Sequence, residues 1–320
     1  MGRELSTSSG FLHPPEESGL ATLRERAVAA VTRRYPLVSG CGTLSNSMLL
    51  HRLAGPGSGT VWARVPGGEV LASLNDYVGR AAFYAGDLDK KISRLCRRIV
   101  RPGDTVLDIG ANIGMVTLLL SRLVGPAGRV HSFEPNPRMQ QAVTAMVQRN
   151  GLANVTLHPV ALGSEDGELE LRIPYGNIGA ASLIRTFEGS SQLERCQVPV
   201  RTLSGIVEAS GIKAIRLIKI DVEGFESEVF RGAEDLLARQ VPDAILFELD
   251  ARTTSSWARE PLVELLAAHG YGFLAIPRSM FRATVQRVEL GTTMDLPGHD
   301  VLAAPMGRRY DELAISLGAR

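Results

Sequence analysis

Between Thr105 and Ile276, hydrophobic positions fall in short unbroken runs separated by stretches of helical period. The runs are Val106-Leu107-Asp108-Ile109, Val130-His131-Ser132-Phe133, Val155–Leu157, Ile215–Ile220, Ala244–Leu249 and Tyr271–Ile276. The intervening patterns predict helices from Gly114, over 137–149, over 226–239 and over 257–269. Such alternation predicts βαβ units around a parallel sheet, whose strands read as continuous apolar runs because both faces are covered. Leu169–Ile173 and Val198–Val200 predict an inserted hairpin on the sheet edge, and Val301–Ala304 a last, antiparallel strand. Upstream, Leu20, Leu23, Ala27, Ala30 and Val31 mark the apolar face of a helix over Gly19–Arg34. A second helix is expected over Asn46–Leu53 and a third over 88–100. Between them, two strands flanking Pro66-Gly67-Gly68 predict a β-hairpin. Residues 1–18, rich in Ser, Pro and Glu, are expected to form a flexible arm. The division is then arm 1–18, α+β extension 19–100, main domain 101–305 and tail 306–320.

Composition narrows the partners. The 320 residues carry 35 Lys+Arg against 34 Asp+Glu, a formal net charge of +1. This balance argues against nucleic acid as a partner and against a polyanionic acceptor. No apolar run approaches the roughly 18 residues needed to span a bilayer. The N-terminus, with Glu4, Glu16 and Glu17, lacks a signal-peptide core. Cys41, Cys96 and Cys196 are odd in number and far apart, so unpaired thiols in a reducing, cytoplasmic setting are expected.

The chemistry concentrates where the first parallel strand ends, in Asp108-Ile109-Gly110-Ala111-Asn112-Ile113-Gly114. Gly110 permits a sharp turn and close backbone approach to a ligand, and Gly114 opens a helix with free N–H groups. The next strand ends in Phe133-Glu134-Pro135-Asn136; Glu134, 26 residues beyond Asp108, is placed to accept hydrogen bonds from both ribose hydroxyls. A dinucleotide site requires Gly-x-Gly-x-x-Gly, whereas here Asn112 holds the middle position and Asp108 would repel a pyrophosphate. An anionic group suits an α-ammonium and a sulfonium, which favours S-adenosylmethionine over NAD.

These segments, with Val160-Ala161-Leu162-Gly163, Thr202-Leu203 and Ile218-Lys219-Ile220-Asp221-Val222-Glu223-Gly224, resemble the FkbM family of methyltransferases over residues 80–305. The resemblance implies a class I, Rossmann-like doubly wound sheet, mostly parallel with an antiparallel last strand. It also implies O-methylation of polyketides, sugars or glycolipids. Carried onto matching positions, it puts Asp108, Gly110, Ala111, Asn112 and Gly114 around the methionine end and Glu134 and Pro135 at the ribose. Asn136, Val160 and Ala161 would lie near adenine, with Tyr77, Tyr84 and Asp87 as pocket wall.

An alcohol must lose its proton as it attacks, so a carboxylate at the end of the fourth parallel strand is the expected catalytic group. Asp221 and Glu223 stand there, and Asp221 would also face the cofactor. His299 is a further candidate base, and Lys219 would pair with a sheet acid. A divalent cation held by Asp221, Glu248 and Asp250 is a minority alternative. Other readings are N-methylation on the same scaffold, or a module that binds S-adenosylmethionine without catalysis. The expected partner is a small hydroxylated acceptor, and the N-terminal helices offer a surface for homodimerisation.

Overall fold

The computed structural model describes residues 21–319, apart from 37, 56, 58, 175–180, 184–192, 250–256, 278, 280–282, 292–295, 297 and 298. The expected arm over 1–18 and Asp250 therefore lie outside the described residues. The described residues open with three helices: α1 (Leu23–Thr32), α2 (Cys41–Ser45) and α3 (Met48–Ala54). The hairpin of β1 (Thr60–Val65) and β2 (Gly68–Ser73) turns at Pro66-Gly67, followed by α4 (Tyr77–Ala85) and α5 (Lys90–Ile99). The alternating region then runs β3 (Thr105–Ile109), α6 (Met115–Val124), β4 (Arg129–Phe133), α7 (Pro137–Asn150) and β5 (Val155–His158). Three strands, β6 (Ala161–Leu162), β7 (Gly167–Pro174) and β8 (Leu193–Arg201), interrupt it. It resumes with α8 (Leu203–Ala209), β9 (Leu217–Ile220), α9 (Glu226–Arg231), α10 (Glu234–Ala238) and β10 (Ile245–Glu248). The chain continues through α11 (Pro261–Ala268), β11 (Tyr271–Ile276), β12 (Gln286–Val288), β13 (Asp300–Pro305) and α12 (Arg308–Ser316).

The main sheet has the order β12-β11-β13-β10-β9-β3-β4-β5. Strands β10, β9, β3, β4 and β5 pair in parallel, while β13 lies antiparallel to both β10 and β11. This is the doubly wound sheet with antiparallel last strand that the sequence predicts. Side chains alternate between two cores, as strand geometry requires. Leu107, Ile109, Ile218, Ile220, Ile245 and Phe247 pack on one face; Val106, Leu217, Leu246, Leu274 and Leu302 pack on the other.

The N-terminal elements form a layer on this domain. Val61, Ala63, Val70 and Leu71 of the hairpin share a core with Leu118 of α6 and Met139, Val143 and Met146 of α7. The Asn150 side chain clamps the two parts, accepting from the Glu69 N–H (3.0 Å) and donating to the Glu69 carbonyl (2.7 Å).

Several expectations change. Helix α1 turns its expected apolar face outward: Leu23, Ala27, Ala30 and Val31 are exposed, and Glu25 and Ala29 face inward. Its orientation is fixed by polar anchors. Thr22 and Glu25 form a reciprocal cap, Thr32 Oγ1 donates to the Tyr84 carbonyl (2.6 Å), and Arg33 donates to the Phe83 carbonyl. The inserted strands do not extend the main sheet; they form their own, ordered β6-β8-β7. The helix expected over 226–239 breaks at Gly232-Ala233 into α9 and α10, and the one over 257–269 starts as an α-helix at Pro261, after a 3₁₀ turn over Trp257–Arg259. Residues 306–320 are not a tail apart from the fold, since Tyr310, Leu313, Ala314 and Leu317 pack into the core.

Candidate active site

The C-terminal edge of the parallel strands is where an open α/β sheet presents its loops, and a cleft of about 620 Å³ lies there. Its walls come from the ends of β3 (Ile109, Gly110, Asn112), β4 (Phe133, Glu134, Pro135) and β9 (Asp221, Val222, Glu223). Met139, Val160, Ala161, Leu162 and Phe225 continue the wall, and Leu171, Ala181 and Leu183 close it from the inserted sheet. The lining thus combines apolar side chains with Glu134, Asp221 and Glu223.

Each polar group is held by the local fold. Gly110 adopts φ +81°, and its N–H and that of Ala111 both donate to the Phe133 carbonyl at 3.0 Å. The loop thereby bends across to β4. Asn112, at φ +52°, directs its N–H to Glu134 Oε2 (2.7 Å), while Glu134 Oε1 accepts from the Asn136 N–H (2.9 Å). Burial nonetheless pushes the Glu134 carboxyl up to about 7, because two backbone donors and the Lys219 charge only partly replace lost water.

The raised pKa of Glu134 has a sign that can be tested. Between about 4.5 and 7 the native state holds a proton on Glu134 that the unfolded state has released, so stability falls as pH rises through that window. The loss across the window is on the order of 3 kcal/mol. Denaturant unfolding across that window is expected to show this slope, reduced in Glu134→Gln; a slope unchanged by the substitution contradicts the assignment.

The second strand end is organised by Lys219. Its ammonium lies 3.6 Å from Asp221 Oδ2, 3.7 Å from Asp108 Oδ1 and 3.3 Å from the Gly110 carbonyl. Burial works to lower Lys219, but Asp221 and Asp108 outweigh it and hold it above its ordinary value. The expected pairing of Lys219 with a sheet acid is thus doubled. Asp221 is not a helix cap. Phe225 holds that position, and the Glu226 carboxylate takes up the Val222 and Gly224 N–H groups (3.1 and 3.4 Å). The Asp221 side chain is left 45% exposed at the cleft. Glu223 sits in the left-handed region at φ +57°, and its carbonyl accepts from Ser182 Oγ (3.3 Å), which ties the inserted segment to this loop.

Eight of the anticipated site residues line the cleft together: Gly110, Asn112, Glu134, Pro135, Val160, Ala161, Asp221 and Glu223. Six others lie apart from its lining. Asp108 is fully buried beneath the loop, bonded by Thr117 Oγ1 (2.6 Å). Ala111 packs into the N-terminal core, and a Cβ on Gly114 would face Met146 and Val143 of α7. Asn136 caps α7, Tyr84 is buried in the N-terminal layer, and the His299 carbonyl receives the Leu249 N–H. Asp87 is likewise buried, bonded by Ser93.

Sequence reasoning missed the apolar closure by Leu171, Ala181, Leu183 and Phe225. It also missed the setting of Glu248, which pairs across the sheet with Asp300 and follows Phe247, the partner of Ile220. Although the residue as a whole is exposed, the surrounding protein withdraws solvation from its carboxyl. Repulsion from Asp221, Asp300 and Glu223 adds to this, and together they push Glu248 up to about 7. Asp300 in turn forms a close ion pair with buried Lys91. Among the described residues no group of three or more His, Cys, Asp or Glu side chains is arranged to hold a metal. His158 stacks on Phe133 and meets His131 Nδ1 at 3.0 Å; burial lowers it to about 4, so it stays neutral.

Residues 108–273 match the family model described as the Methyltransferase FkbM domain. The 31-O-demethyl-FK506 methyltransferase FkbM of Streptomyces tacrolimicus is 30% identical over 250 residues, which span 69% of this chain and 92% of that one. The 2-O-methyltransferase NoeI of Sinorhizobium fredii is 27% identical over 157 residues, 43% of this chain and 61% of that one. A solved structure of a methyltransferase FkbM from Methylobacillus flagellatus aligns at TM-score 0.39 and 18% identity, covering 63% of this chain and 43% of that one.

Proposed function

The chain belongs to the FkbM methyltransferase family, and from that premise we propose that it methylates a hydroxyl of a small natural product, sugar or glycolipid, with S-adenosylmethionine as donor. The observation that carries the reading is one cleft that joins an apolar wall, the buried Glu134 carboxylate and, beside the fixed Lys219 ammonium, Asp221. Those residues fit the cofactor. Val160, Leu162, Leu171, Leu183 and Phe225 would take the adenine, and the free lone pairs of Glu134 the ribose hydroxyls. The Gly110–Asn112 loop and Asp221 would border the methionine end, where negative charge suits a cation. When bound, S-adenosylmethionine supplies an electrophilic methyl group on a sulfonium.

This chain's residues do the rest. Asp221, open to the cleft, orients the acceptor hydroxyl and takes its proton as the oxygen attacks. Lys219, held behind it, fixes the carboxylate's position. Glu223 borders the same end from a strained loop position, which the Ser182 bond helps to maintain. Both relatives named above carry an oxygen-methylation name, which supports oxygen over nitrogen as the acceptor atom.

Calorimetric titration with S-adenosylhomocysteine is expected to give one saturable site, weakened about tenfold or more in Glu134→Ala. Tritiated methyl transfer to a panel of hydroxylated polyketides and sugars tests the reaction. Absence of binding rejects the cofactor, while binding without transfer to any hydroxylated pool points to a silent module.

A further inference from the structure

The N-terminal layer presents apolar side chains to solvent on a scale that its own packing does not use. Successive α-helical residues turn by about 100°, so Leu23, Ala27, Ala30 and Val31 share one arc of α1 opposite the inward Glu25 and Ala29. Leu23 is 86% exposed and Val31 69%. On α3, Met48, Leu49 and Leu53 are 74%, 65% and 52% exposed. The Arg24 guanidinium donates to the Leu53 carbonyl at 2.6 Å and also to that of Arg52. The first turn of α1 is therefore tied to the last turn of α3, so the two helices that carry these side chains pack together.

Charge on this surface has a single sign. Arg24, Arg26, Arg34 and Arg52 are exposed within residues 21–54, where Arg33 is turned inward to the Phe83 carbonyl and Glu25 is the one acid. Glu25 is buried and engaged with Thr22. On the helical wheel Arg24 and Arg26 flank the apolar arc of α1 on its two sides. Large exposed apolar patches mark contact surfaces, and a rim of arginine selects what they contact.

We propose that this face docks the protein onto an anionic lipid bilayer. Leucine, valine and methionine side chains would enter the boundary between headgroups and acyl chains, while the arginines pair with lipid phosphates. A second copy of the chain fits less well. A symmetric contact would set arginine against arginine, with no exposed acid on these helices to relieve the repulsion. The contact is peripheral, since among the described residues no helix is long and apolar enough to cross a membrane.

The test is sedimentation of the full chain with vesicles of phosphatidylcholine alone and of phosphatidylcholine mixed with phosphatidylglycerol. Pelleting is expected with the mixed vesicles and release at high salt. Leu49→Ser with Leu53→Ser should lower partitioning about tenfold or more. Arg26→Gln with Arg34→Gln should lower it about fivefold for each charge removed. Unchanged S-adenosylhomocysteine affinity or, if the chain does not bind it, an unchanged unfolding midpoint shows that the variants are folded. Three outcomes overturn the proposal: no pelleting, equal pelleting with both vesicle types, or pelleting indifferent to the substitutions. A solution dimer dissociated by the same substitutions would assign the face to a second copy and overturn it as well.

Discussion

Asp221→Asn is expected to lower kcat by about a hundred- to ten-thousand-fold, while S-adenosylhomocysteine affinity stays within several-fold of the parent. Asparagine keeps the size and planarity of the carboxylate, so the wall of the cleft is preserved. It cannot accept the hydroxyl proton, and it withdraws one of two carboxylates from Lys219, leaving Asp108 as the remaining charged partner within 4 Å. A second readout follows from the neighbourhood. Asp221 is among the charges that push Glu248 up to about 7, so removing it should move Glu248 downward, toward its ordinary range. NMR titration of the Glu248 carboxyl in the two proteins would report that relief. Near-normal turnover in Asp221→Asn would sink the catalytic assignment, and Glu248, across the strand pair, would become the next residue to replace.

Gly110→Ala is expected to lose about 3 kcal/mol or more of stability together with ligand binding. The backbone at Gly110 has φ +81°, which an L side chain seldom adopts. A Cβ there would stand 1.9 Å from the Asp221 carbonyl oxygen and 3.0 Å from its carbon. The atom in the way is backbone, and it is fixed, because the Asp221 N–H donates to the Ile109 carbonyl at 3.0 Å. Relief therefore requires moving the loop that carries Asp221. Gly151→Ala is the control, with a left-handed backbone (φ +61°, ψ +43°) and nothing within 4 Å of the added carbon. It should cost about 1 kcal/mol by denaturant unfolding. Equal losses in the two variants would mean that conformation alone matters and that the close approach of the loops does not.

The parallel core was legible because its strands are covered on both faces and therefore read as apolar runs. The cleft's polar residues were legible because they lie in loops of fixed length after those strands. Three kinds of feature were not. Asp108 has the strand parity of Val106, not of Leu107 and Ile109, which turns its carboxylate toward Thr117 of α6 and beneath the glycine loop. Counting alternation along β3 could have found this. The closure by Leu171, Ala181 and Leu183 depends on a separate sheet folding back over the cleft, anchored by Ser182 to the Glu223 carbonyl and by Glu194 to Arg138 (2.6 Å). No local period encodes that return. Helix α1 shows the third case, since amphipathic spacing identifies an apolar face without saying what it meets. Its inward side was decided by Thr32 and Arg33, whose partners Tyr84 and Phe83 lie elsewhere in the chain.

The place of β13 bears on how the molecule is made. The strand over Asp300–Pro305 fills the slot between β10 and β11, so synthesis delivers the flanking strands well before the one that joins them. Until then Ile245–Glu248 and Tyr271–Ile276 each hold an open edge, in a stretch of chain dense with apolar side chains. Such edges invite pairing with other nascent chains. Pairing with the residues around 300 covers both edges at once.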